Sequence, residues 1–297
     1  MTPPPATDKT YRHRHWTSAD ELELHFRDYS GDDKVTAKLP VVCLHGLTRN
    51  ARDFEGLAAA IADTGRRVLV PEMRGRGRSD YAAEAATYSL PMYVMDLEAL
   101  LEQEGIDRFV VVGTSMGGLM AMLIAAKAPE RIGAAVLNDI GPVIEKDGLE
   151  KIKTYVGQGR NFPTWVHAAR ALAETHGSTY PGYRLEDWLV MAKRTMIVSS
   201  SGRIVFDYDM KIAEPIMADD GAAAPVDMWP MLNALAGKPI VLVRGALSNL
   251  LSVQTFADMA KVLPGARQVT VPDIGHTPTL DEPAVRDAIF AMLSEAP

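Results

Sequence analysis

The 297-residue sequence contains one cysteine, Cys43, which excludes an intramolecular disulfide framework. Cys43 lies in the apolar run PVVCLH, where it reads as a small core filler. No apolar run approaches the roughly 20 residues of a membrane span. The opening MTPPPATDKTYRHRHW has no apolar stretch to serve as a signal sequence. These absences lead to the expectation of a soluble cytoplasmic protein. Positive charge is also in short supply: 31 Lys and Arg stand against 38 Asp and Glu, a net charge of −7. A nucleic-acid partner, which needs a basic patch to displace phosphate counterions, is therefore not expected. Arg74, Arg76 and Arg78 do cluster, but among glycines in what reads as one local turn. Beyond a proline-rich tail over residues 1–10, expected to be disordered, there is no low-complexity segment and no internal repeat.

What is present is a rhythm of short apolar runs and helical stretches. ELELHFRDYS places Leu22, Leu24 and Phe26 on one face, the two-residue period of a half-buried strand. PVVCLHG, RRVLVPE, DRFVVVGTS and RIGAAVLND read as strands, separated by helices in ARDFEGLAAAIADTG, SLPMYVMDLEALLEQEG and MGGLMAMLIAAKAPE. Near-continuous Val, Ile and Leu in the strands is what a parallel sheet covered on both faces requires. From about Gly141 to Ala236 the rhythm breaks. Helical candidates lie near 148–157, 164–176, 185–198 and 209–217, without a strong buried strand. Strand and helix alternate again in KPIVLVRG, SVQTFADMAKVLPG, ARQVTVP and DEPAVRDAIFAMLSE. The expected organisation is an α/β core over 11–141 and 237–297, with a helical cap inserted at 142–236.

Gly113-Thr114-Ser115-Met116-Gly117 fits G-x-S-x-G. The string is common by chance, but here it leaves the apolar strand FVVV and opens an Ala/Met/Leu-rich helix, the strand–turn–helix setting the motif needs. Ser115 is thereby a candidate nucleophile, exposed above the sheet near the positive end of a helix dipole. A serine hydroxyl needs a base. Of the seven histidines, only His276 follows a late strand in a loop, VPDIGHTPTLDEP, on the sheet edge where the serine opens. His45 reads instead as an organiser of its own loop. A developing oxyanion would be met by the N–H of Met116, directly after the nucleophile, and by one from the loop His45-Gly46-Leu47-Thr48, with Leu47 the chosen donor.

HGLTRNARDF, PEMRGRGRSD, GTSMGG and GHTPTLDEP, in this order and spacing, resemble the α/β-hydrolase superfamily, and most of all its bacterial cap-bearing esterase-like branch. The resemblance implies an α/β-hydrolase fold with a mostly parallel sheet and helices on both faces. It also implies a cofactor-free, metal-free mechanism in which Ser115 is acylated and water activated by His276 then releases the acid. One departure stands out. The family usually places the acid that orients the histidine in the loop after the strand matching KPIVLVRG, and that position holds Asn249. Three explanations follow: Asp139, after the strand GAAVLN, is the acid; Asn249 replaces a native aspartate; or the enzyme works slowly with Ser115 and His276 alone.

The cap region is rich in large apolar residues, and all four tryptophans except Trp16 lie there. Trp165, Trp188 and Trp229 are accordingly candidate substrate contacts in an apolar chamber, with no cationic cluster visible in the sequence. The leading expectation is a serine esterase for small or medium apolar esters, lactones included. Alternatives are carbon–carbon bond hydrolysis on the same machinery, or a slow or non-catalytic ligand-binding member of the fold. Oligomeric state is left open.

Overall fold

The computed structural model describes residues 11–30, 38–218 and 226–297. The tail expected over residues 1–10 lies outside them. A central eight-stranded sheet is built from β1 (Arg12–Thr17), β2 (Glu23–Tyr29), β3 (Val41–Leu44), β4 (Val68–Pro71), β5 (Phe109–Thr114) and β6 (Ile132–Asn138), with two later strands, Ile240–Gly245 and Arg267–Val271. The later two are numbered β10 and β11, because three short strands precede them: β7 (Asn161–Phe162), β8 (Met196–Val198) and β9 (Ile204–Phe206).

The sheet order is β1-β2-β4-β3-β5-β6-β10-β11. Pairing is antiparallel in β1–β2 and β2–β4 and parallel from β4 through β11. Every residue of β3, β4, β5, β6 and β10 is buried, whereas the edge strands β1 and β11 alternate toward solvent. That is the sequence signature of a doubly covered parallel sheet. The N-terminal strand β1 was not foreseen. Its HRHW pattern carries little apolar signal, and it is held by pairing with β2 and by the indole of Trp16, which donates to the Asp96 carbonyl at 2.8 Å.

Helices α1 (Glu55–Ala62), α2 (Leu90–Gln103) and α3 (Met116–Lys127) follow β3, β4 and β5. Between β6 and β10 come α4 (Lys146–Lys153), α5 (Trp165–His176), α6 (Leu185–Thr195), α7 (Ala213–Ala218) and α8 (Trp229–Asn233). Helices α9 (Val253–Val262) and α10 (Pro283–Glu295) flank β11. Apolar side chains pack on both faces of the large sheet as two clusters, and a third cluster lies within the region from β7 to β9. The inserted region is not purely helical: β7, β9 and β8 form a small antiparallel sheet. A helix expected to run to Val198 stops at Thr195, since Met196, Ile197 and Val198 pair with β9.

The order of the sheet locates a site before any side chain is considered. From β3 the chain steps to β4 on one side, and then to β5 on the other. Loops leaving β3 and β5 therefore diverge and open a crevice at the C-terminal ends of these strands.

Candidate active site

Ser115 sits in that crevice, between β5 and α3. Its backbone has φ 50° and ψ −115°, a conformation that side chains other than glycine avoid, at a cost of about 1–3 kcal/mol. The neighbouring glycines explain how the turn is tolerated. A Cβ on Gly117 would lie 2.2 Å from the Leu44 carbonyl oxygen, and one on Gly113 would lie 2.5 Å from that of Gly117. Only glycine lets α3 start this close to β3 and β5. The Ser115 N–H donates to the Asn138 carbonyl at 3.0 Å, tying the turn to the end of β6.

His276 is reached through a loop after β11. Its Nε2 is 3.0 Å from Ser115 Oγ, and its Nδ1 is 2.7 Å from Asp139 Oδ2. The Asp139 side chain is fully buried and that of His276 only 12% exposed. A buried carboxylate can only accept, so Nδ1 carries the proton and Nε2 is left with a lone pair facing the serine hydroxyl. Asp139 is itself fixed by two further donors: the Gly245 N–H reaches Oδ1 at 2.8 Å, and the Ser248 hydroxyl reaches Oδ2 at 2.6 Å. One donor ends β10 and the other lies in the turn that follows it, the place where the family pattern put the acid. That loop supplies hydrogen-bond donors, while the carboxylate comes from the neighbouring strand. Asn249 is exposed, and among the described residues its side chain makes no hydrogen bond to His276.

The histidine loop is braced on the other side. The Tyr180 hydroxyl donates to the Thr277 carbonyl at 2.8 Å, and the Asn138 amide donates to the Pro278 carbonyl at 2.9 Å.

The two residues expected to donate to an oxyanion both lie in segments that flank Ser115. Met116 is the first residue of α3, so its N–H has no acceptor within the helix. Leu47 lies in the turn after β3, and Gly46 before it sits against the serine: a Cβ built there would be 3.7 Å from Ser115 Cβ. His45 organises this turn. Its Nε2 accepts from the Met73 N–H at 3.1 Å, which leaves Nδ1 to donate to the Gly46 carbonyl at 2.7 Å. Burial, reinforced by the charge of Arg76, pushes the imidazole down to about 4, so His45 is neutral.

The arginines of PEMRGRGRSD lie behind this turn. Arg74 is buried against Asp96 and Asp20, with its fork reaching both carboxylates at 2.6–2.8 Å. Arg76 is equally buried but, among the described residues, pairs with no carboxylate. It donates to the carbonyls of Leu47 (2.9 Å) and Arg74 (2.8 Å), lies 3.9 Å from the Met116 sulfur, and stacks 4.6 Å from the centroid of Tyr93. One cation thus touches both residues expected to donate to an oxyanion. In the sequence only the glycine-flanked turn marks Arg76 out.

A cavity opens above Ser115 and His276, lined from the inserted region by Tyr155, Phe162, Tyr180, Phe206 and Tyr208, among others. None of the three tryptophans expected there lines it. Trp188 is buried edge-on against Tyr180 and Tyr183, with centroids 5.9 and 5.1 Å away. Trp165 packs on the same cluster, and Trp229 packs against the core beside α3. Large indoles were drawn into packing, and the smaller tyrosines with a polar tip face the cavity. Nor is the lining free of cations: Arg49, from the turn after β3, lines the same cavity as Arg160 and Arg194 from the region between β6 and β10. Sequence inspection missed this grouping because the three are far apart along the chain.

The sequence profile of the alpha/beta hydrolase fold matches residues 40–283, and the chain belongs to that family. A solved alpha/beta hydrolase from Novosphingobium aromaticivorans is 58% identical, with a TM-score of 0.91 over 96% of this chain and 99% of that one. The 3-hydroxybutyrate-oligomer hydrolase of Cupriavidus necator is 34% identical over 82% of this chain and 84% of its own. The sn-1-specific diacylglycerol lipase ABHD11 of Mus musculus is 29% identical over 92% of this chain and 86% of its own. Among the described residues no helix is long and apolar enough to cross a membrane.

Proposed function

We propose that this protein is a serine esterase that cleaves small to medium carboxylic esters through an acyl-Ser115 intermediate. The observation that carries the reading is the continuous chain from Ser115 Oγ to His276 Nε2 (3.0 Å) and from His276 Nδ1 to Asp139 (2.7 Å). In this mechanism His276 takes the Ser115 proton as Oγ attacks the ester carbonyl carbon. The N–H groups of Leu47 and Met116 hold the oxyanion, and Asp139 stabilises the imidazolium. The proton passes to the departing alkoxide, and the alcohol leaves. A water deprotonated by His276 then attacks the acyl carbon, and collapse of the second oxyanion frees the acid and restores Ser115. Residues 142–236 act in this reading as a cap over the core formed by 11–141 and 237–297, since much of the lining comes from them.

The names of two relatives support an ester substrate: one acts on 3-hydroxybutyrate oligomers, the other on diacylglycerol. The slow or non-catalytic alternative drew on Asn249, and its motive weakens with a carboxylate already at Nδ1. The test is stopped-flow acylation by p-nitrophenyl esters of several chain lengths, with fluorophosphonate labelling of the native protein and Ser115→Ala. Native protein should turn over esters and take the label, and Ser115→Ala should do neither while its circular dichroism is unchanged. Labelling retained in the variant would remove Ser115 from this role.

A further inference from the structure

The chain as a whole is acidic, with a net charge of −7, yet among the described residues its cavity is lined by three arginines against one acidic residue, Asp53. Among the described residues Arg49 spends Nε and Nη2 on Asp53, both at 2.6 Å, and Nη1 has no acceptor. Among the same residues Arg194 spends only Nη2, on Asp281 at 2.9 Å, and that carboxylate is shared with Arg286 at 3.0 Å. Arg160 has no acidic partner among the described residues and lies 5.4 Å from the centroid of Phe162. His176, also in the lining, adds no charge: burial, together with Arg49 and Lys151, drives it down to about 4. These cations begin close to the chemistry, since Arg49 Cγ is 3.4 Å from a Cβ built on Gly46, and that point is 3.7 Å from Ser115 Cβ.

A locally positive pocket inside an acidic protein selects for an anion, because the surrounding field repels negative charge everywhere else. The planar fork of arginine matches a carboxylate in particular. A neutral ester would leave these donors unpaired. We infer that the substrate is an ester that also bears a free carboxylate a few bonds from the scissile carbonyl, and that Arg49, Arg160 and Arg194 receive that carboxylate. This rests on the esterase reading of Ser115. Two chemical sources share the feature: an ester of a hydroxy acid with its acid end free, and a half-ester of a dicarboxylic acid.

Two substrate pairs separate these sources. The linear dimer of 3-hydroxybutyric acid is compared with its own methyl ester, and monoethyl succinate with ethyl butyrate. In at least one pair the acid should show a kcat/KM about tenfold or more above its neutral counterpart, the scale of one charge-assisted contact. The pair that shows it tells whether the carboxylate lies on the alcohol or the acyl side. Arg160→Gln and Arg194→Gln should each reduce that preference several-fold, and added salt should reduce it in the native protein. Because the preference is a ratio within one preparation, loss of folded protein cancels. No acid preference in either pair, or a preference unchanged in both variants, overturns the inference. Calorimetric titration of Ser115→Ala with the same acid and methyl ester separates the two proposals. Tighter acid binding without turnover of any ester by the native protein sinks the esterase reading and leaves the carboxylate site standing. Turnover without acid preference does the reverse.

Discussion

Two regions meet at the cavity, and they are built on different rules. At the edge of the large sheet, geometry is set by the backbone: a strained Ser115, glycines at 113 and 117 with no room for a Cβ, and an Asp139 that shares three donors with neighbouring loops. In the region between β6 and β10, geometry is set by which side chains pack and which are left over. There Trp188 is sealed beneath Tyr180 and Tyr183, while Tyr155 and Arg160 face the opening. The comparison teaches that the sheet edge is shaped by tight backbone constraints, whereas the cavity wall between β6 and β10 is shaped by which side chains pack and which are left over.

Breaking the sheet-edge side should give the largest effects. His276→Ala is expected to lower turnover by roughly 10³ to 10⁶, the range for knock-outs of such units. Asp139→Asn should cost on the order of 10⁴, as the same change does in serine proteases. Asn249→Asp should change turnover less than about threefold, or lower it by adding a charge to the loop whose Ser248 serves Asp139. A strong gain in Asn249→Asp would transfer the acid's role to that position, and steady-state kinetics on a p-nitrophenyl ester decides between them.

The insertion should respond in stability before activity. Trp188→Ala removes a buried indole, and large-to-small changes of this kind cost about 3–5 kcal/mol. Urea unfolding should show that loss, while kcat/KM of the protein that remains folded falls less than tenfold. A larger drop would mean that Trp188, through Tyr180 and the Thr277 carbonyl, governs the histidine loop.

Arg76 sharpens the contrast, since it is buried behind the turn at Gly46–Leu47 and is not among the residues that line the cavity. Arg76→Met keeps the bulk but deletes the donor to the Leu47 carbonyl. If it positions the oxyanion donors, kcat should fall about ten- to a hundredfold with KM little changed, below the 10²–10³ of a lost donor. Unchanged kcat would reduce Arg76 to a packing element.

The last effect is a slope rather than a step. His45 and His176 are held neutral by burial, each depressed from 6.5 to about 4. The unfolded chain therefore takes up these protons first as pH falls, so their stabilisation is complete above pH 6.5 and is lost toward pH 4. The thermal midpoint should decline through that window, and His176→Gln should flatten the decline. An identical slope in the variant would show that His176 does not contribute.

Much of this protein was determined by its sequence alone. The buried strands β3 to β6 and β10 are apolar runs with polar residues only near their C-terminal ends, and the Gly-x-Ser-x-Gly turn between a strand and an Ala-rich helix admits little but a sharp elbow. Ser115, His276 and the turn at Gly46–Leu47 were legible because each depends on residues adjacent in the chain. Which of Asp139 and Asn249 stands beside His276 was not, because both loops leave the same edge of the sheet. It depended on the end of β10 and the turn after it pointing the Gly245 amide and the Ser248 hydroxyl at a carboxylate on β6's loop, 106 and 109 residues away. The short strands β7 to β9 escaped notice because two or three residues carry no periodicity. The lining was likewise decided only by tertiary structure. Whether an aromatic residue fills a core or faces a cavity depends on what lies opposite it, and Arg49, Arg160 and Arg194 come to line one cavity only in the folded chain.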